Sequence, residues 1–249
     1  MTDEVAAGLV AVLGVLILRL TTSGRFVDYV RPRMGPLLAA TALVLVVAGA
    51  MCVIGQLRSR RGISEGPGGR STSPVGRAGL LLIIPIVLLA TVPVAPLGAF
   101  AAGLRESSGR SPPTSSFFAP MASPVHGAVD LTVSDFISRA LYDPGASLRG
   151  RIVRLVGFAA PDHEGVAGTF DLVRFAIYCC AADAIPLRVR IAGPPGGVPA
   201  ADTWIEVIGE WRPEPPRAPG AFDPNVLPVL DVRSSRVIDA PANPYDSTV

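Results

Sequence analysis

The uncharged stretch Leu37–Leu57, LLAATALVLVVAGAMCVIGQL, decides what kind of protein this is. It holds 21 residues, and a helix needs about 20 apolar residues to cross a hydrocarbon core of about 30 Å. The 249-residue chain as a whole is 49% hydrophobic and 17% charged, with a mean hydropathy of +0.46. Soluble proteins usually carry about a quarter of charged residues. The composition therefore predicts a membrane protein.

Two further apolar runs flank this stretch. Val5–Leu18 is uncharged and extends to about Thr22 if Arg19 directs its charge toward the membrane surface. Ala78–Leu104 is uncharged but interrupted by three prolines, which kink or end a helix: Pro85, Pro93 and Pro96. We predict three spans at about 5–22, 37–57 and 78–102, within a transmembrane region 1–104.

The basic residues do not decide the orientation of these spans. Five arginines fall on one side of the predicted membrane and six on the other, so the positive-inside rule gives no answer. The segment 107–124 is rich in Ser, Pro and Thr, as are stalks that carry exported domains. We therefore assign 105–130 to a linker and expect the domain after it outside the cytoplasm, on a multi-pass protein of the cell membrane.

Residues 131–249 have the pattern of a small, mainly-β domain. Leu131–Leu141 has helical spacing and opens with Thr132 three residues before Asp135, a capping pattern. Runs with the period of strands follow between Pro/Gly turns, at 151–158, 170–178, 187–191, 204–211 and 229–238. The pattern RIVRLVGF (151–158) followed by DTWIEVIGEW (202–211), one strand closing on Gly and a later one on Gly-Glu-Trp, is similar to that of an oligonucleotide/oligosaccharide-binding (OB) barrel. The predicted fold is thus an α-helical transmembrane region of three spans followed by an OB-like barrel with one short helix.

The residue types present exclude several functions. All 22 basic residues are Arg, so lysine-dependent sites such as the P-loop and the Schiff base are excluded. Residues 131–249 hold 11 Arg against 14 acidic residues, which argues against a nucleic-acid partner. Ionisable residues inside the hydrocarbon region are the usual mark of an ion pathway, and the predicted spans contain none. An accessory, non-enzymatic role is the better expectation.

One unusual motif remains, the run Ile177–Ala184, IYCCAADA. Cys179, Cys180 and Asp183 could bind zinc, with His163 as the outside contributor, because zinc accepts S, N and O ligands. Alternatively, the cysteines pack as small apolar residues at the end of the barrel, with Asp183 capping a turn. A redox-active pair is the third reading, although a disulfide between neighbouring cysteines needs a strained ring.

Several of these stretches resemble the YcgQ-type bacterial permease subunits. The resemblance rests on GRFVDYVRPRMGPLLAATALVLVVAG (24–49), RFAIYCCAADAIPLRV (174–189), ADTWIEVIGEW (201–211) and the closing APANPY (240–245). It implies a membrane protein that pairs with a multi-spanning permease. Many similar proteins have a His-rich tract between the second and third spans, whereas the loop Arg58–Arg77 has no His.

The resemblance leaves two functions open. The protein is either an accessory subunit of a permease complex that handles a metal or another small solute, or an exported, membrane-anchored thiol redox protein. Cys179 and Cys180 are the residues that both functions would use.

Overall fold

The computed structural model describes residues 2–62, 96–105, 118–143, 146–194, 196–213 and 226–246. It divides the chain into two compact units, Met1–Ala95 and Pro96–Val249. The N-terminal unit contains helices α1 (Thr2–Thr22) and α2 (Gly35–Gly62). Two short 3-10 helices, Arg25–Asp28 and Pro32–Met34, connect them.

Small residues bring α1 and α2 together. A Cβ atom added to Gly14 would lie 2.8 Å from the backbone nitrogen of Val46, and one added to Gly49 would lie 2.8 Å from the Cβ of Ala11. Ala42, in the same contact, is fully buried. Many large apolar side chains of both helices face outward instead. They include Val12, Val15, Leu37, Leu43, Val44, Met51 and Ile54.

Among the described residues, one helical segment is long and apolar enough to cross a membrane, judged by length and composition. It is Pro32–Gly55, with a mean hydropathy of 2.7. The first predicted span coincides with α1, whose apolar part Ala7–Thr22 is shorter. Residues 78–95 of the third predicted span lie outside the described part of the chain.

Residues beyond Pro96 form a five-stranded β-barrel with a short helix, as predicted in outline. The barrel strands are β2 (Ile152–Pro161), β3 (Thr169–Ala176), β4 (Ile185–Ala192), β5 (Trp204–Arg212) and β6 (Val229–Val237). Two short strands, β1 (Val129–Asp130) and β7 (Tyr245–Asp246), pair with them. The pairing order is β2-β5-β6-β4-β3, and β3 pairs again with β2 to close the barrel. All these pairs are antiparallel except β4 with β6. β1 lies parallel to β2, and β7 lies parallel to β3.

The interior of the barrel is a single apolar cluster that helix α4 (Val133–Tyr142) covers. The side chain of Thr132 accepts a hydrogen bond from the backbone N–H of Asp135 (3.1 Å), so the predicted capping pattern is confirmed. The buried residues come from α4 and all five barrel strands, among them Phe136, Leu155, Leu172, Val189, Val207 and Leu230. Ile208, which alternates with the inward-facing Ile205 and Val207, is only half-buried.

A second apolar cluster covers the opposite faces of β2 and β3. Phe158 of β2 and Phe175 of β3 meet there with ring centroids 6.0 Å apart, and Trp204 contacts Phe158 edge-on. A short helix, α3 (Ala99–Leu104), packs on this cluster, as does Tyr245. β3 is therefore buried on both faces, and its two charged residues have partners: Asp171 accepts a hydrogen bond from Arg188 (3.2 Å), and Arg174 donates one to the carbonyl of Tyr245 (2.7 Å).

Helix α3 packs on the barrel. Its first four residues lie within the predicted third span, 78–102, but Ala99 and Ala102 are buried among the barrel residues Phe158, Val173 and Phe175. Downstream, the backbone carbonyl of Ala119 accepts a hydrogen bond from Arg139 (2.8 Å). Both flanks of segment 106–117 thus pack on the barrel unit. The compact unit that contains the barrel begins at Pro96.

Candidate metal centre

The candidate site is the loop between β3 and β4. A short 3-10 helix, Ala181–Asp183, forms its second half. Cys180 precedes this helix in an extended conformation, and its side chain accepts a hydrogen bond from the backbone N–H of Asp183. The Asp183 carboxylate in turn accepts one from the N–H of Cys180 at 3.3 Å. This reciprocal pattern is a capping box, and it fixes the position of Asp183 relative to the cysteines.

The carboxylate of Asp183 organises the loop. Its Oδ1 accepts a hydrogen bond from the backbone N–H of Tyr178 (2.9 Å), and its Oδ2 accepts one from the N–H of Cys179 (2.8 Å). The Cys179 thiol also donates to Oδ2, with an Sγ–Oδ2 distance of 2.8 Å. Together with the bond from Cys180, one carboxylate holds three consecutive backbone N–H groups. The loop conformation therefore depends on an ionised Asp183.

Three potential ligand atoms meet in this loop. One atom from each of Cys179, Cys180 and Asp183 lies within 4.8 Å of the other two. The two sulfur atoms are 3.7 Å apart. Cys179 is exposed and Cys180 is half-buried, so the side chains do not pack in either apolar cluster. Two sulfurs and a carboxylate oxygen are a donor set that zinc and other borderline-soft divalent ions accept.

The electrostatics of the site place a proton between Cys179 and Asp183. Burial alone would raise the pKa of Asp183, but hydrogen bonds from the Cys179 thiol and from three backbone N–H groups outweigh it and lower the pKa to about 2. The same carboxylate, with a smaller contribution from Cys180, raises the pKa of the Cys179 thiol from 9.0 to about 11. Near neutral pH the loop therefore holds an ionised carboxylate that binds a protonated thiol.

Arg105 ties the loop to helix α3. Its guanidinium donates hydrogen bonds to the backbone carbonyls of Ala181 (3.5 Å) and Ala184. The two partners are 76 and 79 residues away in sequence, so sequence spacing gave no signal for this contact. The predicted linker 105–130 includes Arg105, whereas the structure shows that its guanidinium supports the loop of the site.

His163 lies elsewhere. It follows the end of β2, and its Nδ1 is 3.4 Å from the carboxylate of Asp171, which also pairs with Arg188 (3.2 Å). Asp171 lies near the start of β3, whereas the cysteines follow the end of that strand. Five residues separate Asp171 from Ala176, about 16 Å at about 3.3 Å per residue. The structure thus brings together three of the four predicted site residues, and His163 pairs with Asp171 instead.

A polar cavity of about 340 Å³ lies beside the start of α4. It is lined by Asp130, Arg154, Arg174, Glu206 and Asp246, among others. Arg154 donates to Asp130, and Arg174 donates to the Tyr245 carbonyl at 2.7 Å. Asp246 accepts a hydrogen bond from the N–H of Ser134 at 3.2 Å, and burial raises its pKa. The charged groups of this cavity already pair with other groups of the chain, so it is the weaker candidate for a ligand site.

A comparison with protein families gives a match in the barrel region. A DUF1980 C-terminal domain is found at residues 127–246. This match contains β1 to β7, α4 and the Cys-Cys-Ala-Ala-Asp loop, but not α3. Neither a curated protein nor a solved structure matches the chain.

Proposed function

We propose that the protein is a membrane-anchored, non-enzymatic accessory subunit of a permease complex, and that its barrel binds a divalent metal ion through Cys179, Cys180 and Asp183. The observation that carries the proposal is the meeting of three ligand atoms within 4.8 Å in an exposed loop. Zinc is the reference ion, since two thiolates and a carboxylate suit it. Three protein ligands leave a tetrahedral ion one position for exchange, which suits handing the ion on rather than storing it.

The hydrogen bonds of the loop explain how an ion would enter. The proton between Sγ of Cys179 and Oδ2 of Asp183 occupies the space between two of the three ligands. An arriving ion would replace this proton, because only the thiolate binds metal. The backbone N–H groups that hold Asp183 would keep their partner during the exchange. The loop would then change little in conformation when it binds or releases the ion.

The anchoring part of the proposal rests on the helical hairpin that α1 and α2 form. Large apolar side chains face outward on α1 and α2, and glycine and alanine occupy the contact between them. This arrangement suits lipid as the surrounding solvent. We infer that α1, α2 and the apolar run that begins at Ala78 form the three spans. We also infer that the barrel lies outside the cytoplasm and that the partner is a multi-spanning permease.

The barrel itself is OB-like in our proposal. Its five strands pair in the order 1-4-5-3-2 along the barrel and close between the first two, with the third and fifth parallel. This is the pairing of a Greek-key OB barrel. The helix that covers the barrel precedes the first strand, so the likeness is one of strand topology. We propose no oligonucleotide ligand for it.

The redox alternative has one observation in its favour, the 3.7 Å contact between the two sulfur atoms. The raised pKa of Cys179 opposes it, because redox-active cysteines attack as thiolates and have lowered pKa values. Thiol labelling with and without reductant separates the readings. A pair that labels only after reduction would support redox exchange, whereas thiols that zinc protects from labelling would support the metal site.

Calorimetry on the full chain in mild detergent tests the metal site directly. We expect zinc to bind at micromolar concentration or tighter, and Cys179→Ser, Cys180→Ser and Asp183→Asn each to weaken binding at least about tenfold. The matched control is Cys52→Ser, which removes the cysteine of α2 and should leave the affinity unchanged. If the unaltered chain binds no zinc at micromolar levels, the metal proposal is wrong.

A further inference from the structure

Helix α3 has two different faces. Ala99 and Ala102 are 8% and 0% exposed, because they pack on the outer cluster of the barrel. Phe100 and Leu104 are 80% and 73% exposed. These two side chains are four residues apart, so they lie on the same face of the helix. A large aromatic and a leucine thus form one exposed apolar strip, which we call the α3 strip.

The barrel fixes the orientation of this strip. The N–H of Ala99 donates to Oδ1 of Asp202 at 2.5 Å. Arg188, only 6% exposed, donates to the carbonyl of Ala102, and Arg105 donates to the carbonyl of Ala184. Polar contacts therefore hold both ends of α3. The exposure of Phe100 and Leu104 is a property of the folded domain and does not come from a loosely attached helix.

The chain before α3 indicates what covers the strip. Residues 78–95 are uncharged in sequence and form most of the third predicted span, and the barrel unit begins at Pro96. Five residues separate Ala95 from Phe100, a reach of at most about 18 Å at about 3.6 Å per residue. If the third run spans the membrane and the chain leaves it at about Ala95, Phe100 lies within that distance of the exit point. The headgroup region alone is several ångströms deep.

We propose that the α3 strip lies in the interfacial region of the bilayer and holds the barrel directly against the membrane surface. This inference rests on the proposed third span. Helices that lie in this region bury Trp, Phe and Leu side chains of their apolar face, and their binding strengthens with the apolar area buried. Because Arg105 links α3 to the loop of Cys179 and Cys180, the candidate metal centre lies beside the membrane surface. An ion bound there would be within reach of a permease in the same bilayer.

Fluorescence quenching by brominated lipid tests this contact. The full chain carrying Phe100→Trp is reconstituted into vesicles of phosphatidylcholine with a minor share of phosphatidylglycerol, with or without bromine on the acyl chains. The unaltered chain supplies the baseline from Trp204 and Trp211. We expect bromine to reduce the emission added at position 100 about two-fold or more, since the ring reaches the acyl-chain boundary. The matched control is Val237→Trp, on β6, where the native side chain is 66% exposed.

The outcomes are distinct. Strong quenching at position 100 with none at position 237 supports the proposal. Equal quenching at both positions overturns it, and so does an emission at position 100 that bromine does not quench. In the unquenched case, emission typical of water would mean that the strip faces solvent, and emission shifted to shorter wavelength would mean that protein covers it. Flotation of the same vesicles reports anchoring separately, so a chain that floats but is not quenched refutes the α3 contact alone. Zinc calorimetry is unaffected by either result.

Discussion

The helical hairpin directs many large apolar side chains outward, whereas the barrel directs them into its interior. In the hairpin, Leu43 is 58% exposed and Ala42 is fully buried. In the barrel, Leu172 is fully buried and the exposed positions are mostly polar. Burial of large apolar groups drives folding in water, whereas in lipid it gains little and close backbone approach matters more. One chain thus follows two sets of packing rules, which is the strongest structural argument for a membrane beside the hairpin.

The largest expected effect comes from the same substitution made in both units. Leu172→Ala should destabilise the barrel by about 2–5 kcal/mol, because it leaves a cavity in the closed interior. Leu43→Ala should change the stability of the hairpin by less than about 0.5 kcal/mol in detergent, since the side chain faces outward. Thermal unfolding is followed by Trp fluorescence for the barrel and by helical circular dichroism for the hairpin. Similar losses from both variants would contradict the comparison.

Sequence patterns predicted the elements of the two units far better than their contacts. The five strand-like runs and the Thr132–Asp135 cap were recognised because strand alternation and capping are local properties. The predicted third span includes residues 99–102 of helix α3, because an uncharged run that packs on a barrel has the same composition as one that enters lipid. The contact that corrects it, between Arg188 and the carbonyl of Ala102, joins residues 86 positions apart.

The candidate site shows the same division. Cys179, Cys180 and Asp183 lie within five residues, and a turn was enough to bring their side chains together. His163 was added by ligand chemistry alone, and it lies beside Asp171 because the β2–β3 turn places it there. Arg105 was missed, since nothing local marks a guanidinium that binds distant carbonyls.

The next largest effect is on the stability of the hairpin and concerns the glycines at the packing contact between α1 and α2. Gly49→Leu should destabilise the hairpin by about 1–3 kcal/mol, because the new side chain would overlap Ala11 where a Cβ atom alone already comes within 2.8 Å. The matched control is Gly55→Leu in the same helix, where an added Cβ atom meets nothing within 4 Å. Helical circular dichroism during heating in mild detergent measures both. The same midpoint for the two variants would mean that the hairpin contact does not depend on close approach at Gly49.

The smallest expected effect is local and depends on pH. The pKa of Asp183 is lowered from 3.8 to about 2, so the stability it gives the loop is fully present above pH 3.8 and is lost as the pH falls through about 2. The pKa of Cys179 is raised from 9.0 to about 11, so its contribution is present below pH 9.0 and is lost as the pH rises through about 11. The loop should therefore be most ordered between these limits.

Hydrogen exchange at the amides of Tyr178, Cys179 and Cys180 measures this order, after correction for the intrinsic rate at each pH. We expect protection to decline on both sides of the window in the metal-free chain. Asp183→Asn should lower protection within the window. It should also remove the decline of protection at low pH, because an amide does not titrate. The control is Asp135→Asn, at an exposed position on α4. Zinc affinity should instead rise with pH across the same window, since the ion must displace the thiol protons that the metal-free loop retains.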